Sequence, residues 1–145
     1  CRDWSSDVCS SDLPLLKTMD FHEKSTKEGS MTLADIVQLL DAEVLGGEVD
    51  LEREVPCAFA SDLISDILMC TKEPTLLLTG LTNNQVIRLS DMIDLIAIIF
   101  VRGKRPLADV SEMAQERKLP ILATKMTLFR SSGILYNAGL RSCKI

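Results

Sequence analysis

Three short polar stretches hold the side chains best suited to grip an anion: Thr79-Gly80-Leu81-Thr82-Asn83-Asn84, Arg102-Gly103-Lys104-Arg105 and Thr124-Lys125. The first supplies hydroxyls, amides and free main-chain N–H groups at the start of an expected helix. The other two add positive charge, completing a donor set that suits a phosphate or carboxylate. The pattern is of low specificity, because TGLTNN is neither a Walker A loop nor a GxGxxG fingerprint. Thr82 or Asn83 serves equally as a helix cap, and the basic cluster equally as a solvated turn.

A second set, Ser61-Asp62 and Ser65-Asp66, repeats at a spacing of four, which puts both carboxylates on one face of a helix. Two readings stand: a carboxylate pair for metal or acid–base work, or a helix cap followed by a solvated face. The second is the commoner use of such residues. Histidine chemistry is excluded beyond residue 30, since the single His is His22. That removes His-based triads, His metal ligands and a His general base. Cys57, Cys70 and Cys143 form no CxxC pair and read as separate thiols, neither a disulfide framework nor a zinc site, which fits a reducing cytoplasm. No metal, cofactor or catalytic residue is expected; a small metal-dependent enzyme would need Asp62 or Asp66 beside Thr79 or Thr82.

The elements that must position these groups are legible from apolar patterning. Thr75 to Thr79 and Ala97 to Val101 are short continuous apolar runs bounded by Pro74, Gly80 and Gly103, the mark of strands buried on both faces. Between them Val86, Leu89, Ile93 and Ile96 recur at helical spacing, predicting a helix of about three turns and hence a right-handed parallel crossover. Pro120 to Thr124 predicts a third buried strand. Thr32 caps a helix through Leu40, with Asp35 three residues on favouring its positive end, and Glu43 to Leu45 and Pro56 to Ala60 read as short strands. Pro106 opens a helix whose Val110, Met113 and Ala114 face inward. A last helix runs from about Thr127 to Asn137 and stops at Gly139, with Leu135, Tyr136 and Leu140 offered as an exposed apolar surface for a partner or a second copy. Arg88 is expected to snorkel or to pair with Asp91 or Asp62. The result is an α/β domain, two- or three-layered, with a small mixed and mostly parallel sheet. Ligands of such sheets gather at the carboxyl ends of the strands, where all three anion-gripping stretches lie.

At 145 residues the chain has room for one ordinary domain, and its net charge of −5 argues against broad nucleic-acid binding. The longest apolar stretch, Met92 to Val101, contains Asp94 and is about half the span of a bilayer, so no membrane segment is expected. Residues 1–13 resemble the in-frame translation of a sequencing adapter and are set aside as an artefact. Residues 14–30 read as a non-native or disordered leader, because Lys27-Glu28-Gly29 fits a purine-rich ribosome-binding sequence ahead of Met31. The domain is then 31–145, with 12 Lys+Arg against 15 Asp+Glu.

From Met31 to about Leu140, the blocks AFASDLISDIL, LLLTGLTNNQVIR, AIIFVRGKRP, KLPILATK and SSGILYNAGL together resemble the small stand-alone bacterial proteins of the DRTGG domain family. That family is similar to the N-terminal domain of HPr kinase/phosphorylase and occurs as a regulatory module beside CBS domains. The resemblance implies a mixed-sheet α/β domain without catalysis of its own, self-associating as a homo-oligomer, sensing a small anionic ligand such as a nucleotide. It also implies company with kinase-like ATPases or iron–sulfur enzymes. The signature residues differ: where the family has Asp-Arg after one strand and Thr-Gly-Gly after the next, this chain has Asn83-Asn84 and Arg102-Gly103.

Overall fold

The continuous apolar runs become the middle of a six-stranded sheet. The computed structural model describes residues 31–70 and 73–144; the readings of residues 1–13 and 14–30 lie outside them. In chain order the elements are β1 (Met31–Thr32), α1 (Leu33–Leu40), β2 (Glu43–Gly46), β3 (Glu54–Val55), β4 (Cys57–Ala60), α2 (Ile64–Ile67), β5 (Thr75–Thr79), α3 (Asn84–Arg88), β6 (Leu95–Phe100), α4 (Ala108–Glu116), β7 (Ile121–Ala123), α5 (Leu128–Asn137) and β8 (Arg141–Ser142). The sheet order is β2-β7-β6-β5-β4-β8; β2 runs antiparallel to β7 and every other pairing is parallel. β1 and β3 form a separate antiparallel pair.

Every residue of β5, β6 and β7 is buried, as strands covered on both faces must be. Alternation along them divides the core. Leu76, Leu78, Ile99 and Leu122 meet Leu33, Ile36 and Leu40 of α1 and Leu135 of α5 on one side. Leu77, Ile98, Phe100 and Ile121 meet Ile67 of α2, Val86 and Ile87 of α3, and Val110 and Ala114 of α4 on the other. The architecture is therefore three-layered. Each fully buried Leu or Ile contributes about 1.5–3 kcal/mol, which is why these runs dominate the topology.

Thr32 caps α1 with a reciprocal capping box to Asp35, and Gly139, at φ 102°, follows the end of α5 in the left-handed region that glycine tolerates. Other expectations need correction. The helix after β5 is one turn of α-helix continued by a 3₁₀ turn at Leu89–Asp91, and Ile96 belongs to β6, which starts at Leu95 to pair with Thr75. Pro106 lies ahead of α4, whose cap is Leu107. Leu135 and Leu140 are buried, so the exposed aromatics of α5 are Phe129 at 90% and Tyr136 at 71% exposure. Asp91 pairs with Arg117 at 3.0 Å rather than with Arg88.

The largest correction concerns sulfur. Cys57 and Cys143 are joined in a disulfide, with their Cα atoms 5.1 Å apart, within the ordinary range for such a bond. Buried Cys70 packs into the same cluster, and burial pushes its thiol pKa up. The separate-thiol reading failed because β8 was not foreseen. β8 pairs with β4 through Cys57↔Arg141 and Ala58↔Ser142, and the Cys143 N–H then donates to the Ala58 carbonyl at 3.1 Å. The inference of a reducing compartment from scattered thiols falls with it.

Candidate functional site

The helices after β6 and β7 leave to opposite faces of the sheet, α4 to one core and α5 to the other. This is the kind of switch point where open α/β sheets place a crevice. Here main-chain hydrogen bonds close it. The Gly103 N–H donates to the Thr124 carbonyl and the Arg102 N–H to the Met126 carbonyl, both at 2.8 Å. Thr124 is buried, with its hydroxyl donating to the Leu40 carbonyl at 2.7 Å and accepting from the Met126 N–H. The expected contribution of Thr124 to a ligand is thus taken up by structure.

With that seam shut, the β6 turn sends Arg102 and Lys104 toward the ends of β4 and β5. Arg102 and Gly103 both have positive φ, 62° and 65°, a conformation that costs a non-glycine residue about 1 kcal/mol or more. From this turn the Lys104 ammonium reaches the Gly80 carbonyl at 2.9 Å. The Arg102 guanidinium lies 3.8 Å from the Asp62 carboxylate, both side chains about half exposed. A pair of that kind is worth at most about 1 kcal/mol by itself.

Asp62 is the residue whose role sequence reasoning missed. It neither caps α2, whose N-cap is Leu63, nor shares a helix face with Asp66, because it lies before the helix. The turn there is closed by Ser61, whose hydroxyl accepts the Leu63 N–H at 3.0 Å. Asp62 turns instead onto the end of β5. Its Oδ1 accepts from the Thr79 hydroxyl at 3.1 Å and from the Gly80 N–H. A Cβ at Gly80 would crowd the Arg102 guanidinium and come within 3.1 Å of the Asp62 carboxylate, so those side chains would have to swing aside. The only sequence signal was the adjacency of β4 and β5, whose parallel register carries the two strand ends to the same edge.

Thr79, Gly80, Arg102 and Lys104 are thus brought together, with Asp62 among them. The rest of the predicted set is dispersed. Arg105 turns the other way and pairs with Glu43 at the start of β2. Asn84 donates to Asp109 of α4 at 2.9 Å. Asn83 occupies the cap position of α3 without a side-chain bond, and Thr82 is half-buried beside it. Lys125 is exposed, as are Ser65 and Asp66. Among the described residues no group of three or more His, Cys, Asp or Glu is arranged to hold a metal, and no helix is long and apolar enough to cross a membrane.

Two hollows stand out elsewhere. One, of about 380 Å³, is an apolar groove between α5 and the β4–β8 edge, walled by Ala58, Ala60, Phe129, Tyr136 and Leu140. The other, of about 260 Å³, is polar and lies at the opposite end of the sheet among Arg53, Asp91, Asp94, Arg117 and Lys118. In it Arg117 grips Asp91 through two hydrogen bonds, which hold that carboxyl below its usual pKa, and Lys118 pairs with Glu48.

No protein-family model matches the chain, and no curated protein matches it. Among solved structures it is similar to the CBS and DRTGG domains of the regulatory region of Clostridium perfringens pyrophosphatase, complexed with its activator, diadenosine tetraphosphate. The two are 19% identical with a TM-score of 0.60, over 72% of this chain and 45% of that one. A likeness at that identity establishes a shared fold. The chain spans less than half the length of the regulatory region it matches.

Proposed function

We propose that this chain is a non-catalytic regulatory domain of the DRTGG type that senses a small anionic ligand, a nucleotide or phosphorylated metabolite, at the carboxyl end of β5. The observation that carries the reading is the convergence on one carboxylate of two donors at the end of β5, the Gly80 N–H and the Thr79 hydroxyl, and of the Arg102 guanidinium from the β6 turn, 3.8 Å away. A group of donors that satisfies an internal carboxylate is chemically suited to an external carboxylate or phosphate oxygen. Lys104, held over the same turn, adds a second positive charge. The fold shared with a nucleotide-activated regulatory region supports the reading in outline. That region contains two kinds of domain, so its activator is not carried over to particular residues here. A thermal-shift screen of nucleotides and phosphorylated metabolites, with Arg102→Ala and Lys104→Ala as controls, tests it. Stabilisation lost in both variants is expected; no stabilisation by any compound would count against the reading.

A second reading is favoured by the apolar groove, where Phe129 and Tyr136 expose large rings beside a wall of small residues. Exposed aromatic surface of this kind suits self-association or a partner protein such as a kinase-like ATPase or an iron–sulfur enzyme. Light scattering after size exclusion, on wild type and Phe129→Ser, tests it; a strict monomer with no partner would remove it. A cytoplasmic setting is part of the proposal, the Cys57–Cys143 bond then being open to reduction; alkylation of cell extracts reports its state.

A further inference from the structure

We infer that Asp62 is an internal ligand of the β5-end cradle, and that an incoming anion binds by displacing it and so releases the segment from Ser61 to Cys70. The inference rests on the anion-sensing reading and adds its mechanism. Asp62 does what a bound carboxylate would do: one oxygen takes the Thr79 O–H and the Gly80 N–H while the other faces Arg102. A phosphate oxygen in that position would meet the same donors, and it cannot share them with Asp62, since two anions in contact repel. Ligand and Asp62 therefore compete for one place.

The competition has an output because Asp62 is one of few ties on the segment that follows it. α2 is four residues long and has no side-chain cap. Only Ile67 and Cys70 are buried between Ser61 and Cys70, while Leu63, Leu68 and Met69 are exposed. The Ser61 N–H bond to the Leu78 carbonyl, at 3.1 Å, holds the start of the segment. An element with so little burial is at the low-stability end of the molecule, so loss of one charged tether shifts its opening equilibrium. The same logic run backwards means that the resident carboxylate weakens anion binding by the fraction of time the cradle is vacant. A cradle vacant about one-tenth of the time lowers apparent affinity tenfold.

The experiment titrates the full chain with inorganic phosphate and pyrophosphate by calorimetry, for wild type, Asp62→Ala, Asp62→Asn and Arg102→Ala. It is paired with amide hydrogen exchange over residues 61–70. The expected result is affinity about tenfold tighter in Asp62→Ala, tighter in Asp62→Asn, lost in Arg102→Ala, and faster exchange over 61–70 when wild type is saturated. If the Asp62 variants bind as wild type or more weakly while Arg102→Ala still loses binding, displacement is overturned and the anion site stands. If neither wild type nor any Asp62 variant binds either probe, the site itself is refuted and the inference with it. Should Asp62→Ala fail to fold, Asp62→Asn and wild-type exchange decide: unchanged exchange over 61–70 at saturation overturns the inference.

Discussion

Reducing the Cys57–Cys143 bond tests how the C-terminal strand is held. β8 has only two residues, and besides the disulfide it is fastened by the Cys143 N–H bond to Ala58, a 3.1 Å Arg141–Glu73 ion pair and a 3.2 Å bond from Arg141 Nε to the Pro56 carbonyl. The crosslink spans 86 residues. Loop-closure entropy for that span amounts to about 4.6 kcal/mol at 25 °C, and measured disulfides commonly deliver about 2–4 kcal/mol. A domain of this size loses roughly 4 °C of melting temperature per kcal/mol, so reduction should lower Tm by about 8–16 °C. The assay is thermal unfolding followed by circular dichroism with and without a phosphine reductant, on wild type and on Cys57→Ser/Cys143→Ser, with Cys70→Ser as control. The double variant should melt like reduced wild type and ignore the reductant; Cys70→Ser should keep the full difference. Equal melting temperatures in both conditions, with Cys57 and Cys143 both alkylated in unreduced denatured protein, would refute the reasoning.

Gly47→Ala should destabilise the domain by about 3 kcal/mol or more in urea titration, because φ is +82° and a Cβ would overlap the Leu119 carbonyl oxygen; a change under about 1 kcal/mol would show that the β2–β7 edge yields more readily than the contacts imply. Arg117→Ala removes the group that holds the Asp91 carboxyl below its ordinary pKa. A depressed folded-state pKa favours the native state above the usual carboxylate range and ceases to do so as pH falls through the folded value. The urea midpoints of wild type and Arg117→Ala should therefore differ at neutral pH and converge on acidification, and a gap that widens toward low pH would contradict the assignment.

What the sequence disclosed followed burial. The runs Thr75–Thr79, Leu95–Phe100 and Ile121–Ala123 are covered on both faces and so are apolar throughout, which no other arrangement of a short segment explains as well. The Thr32 cap and Gly139 were legible because a cap is a local device. β8 was not, since Arg141 and Ser142 are exposed edge residues with no apolar pattern to announce a strand, and the disulfide was invisible with it. In one dimension Asp62 looks like a capping residue and Asn84 like an anion-binding amide, and only the packing of β4 beside β5 and α3 beside α4 sends them to partners 17 and 25 residues away. The basic turn read as one cluster, yet its left-handed backbone at Arg102 and Gly103 splits it, with Arg102 and Lys104 on one side and Arg105 on the other.

The claim that the end of β5 holds an anion is tested most directly by following backbone amide resonances during titration with pyrophosphate at constant ionic strength. The account predicts saturable shifts concentrated at Thr79, Gly80, Arg102 and Lys104, absent in Arg102→Ala. Gly80 unmoved, or small non-saturating shifts spread over exposed basic residues such as Arg130 and Lys144, would contradict it.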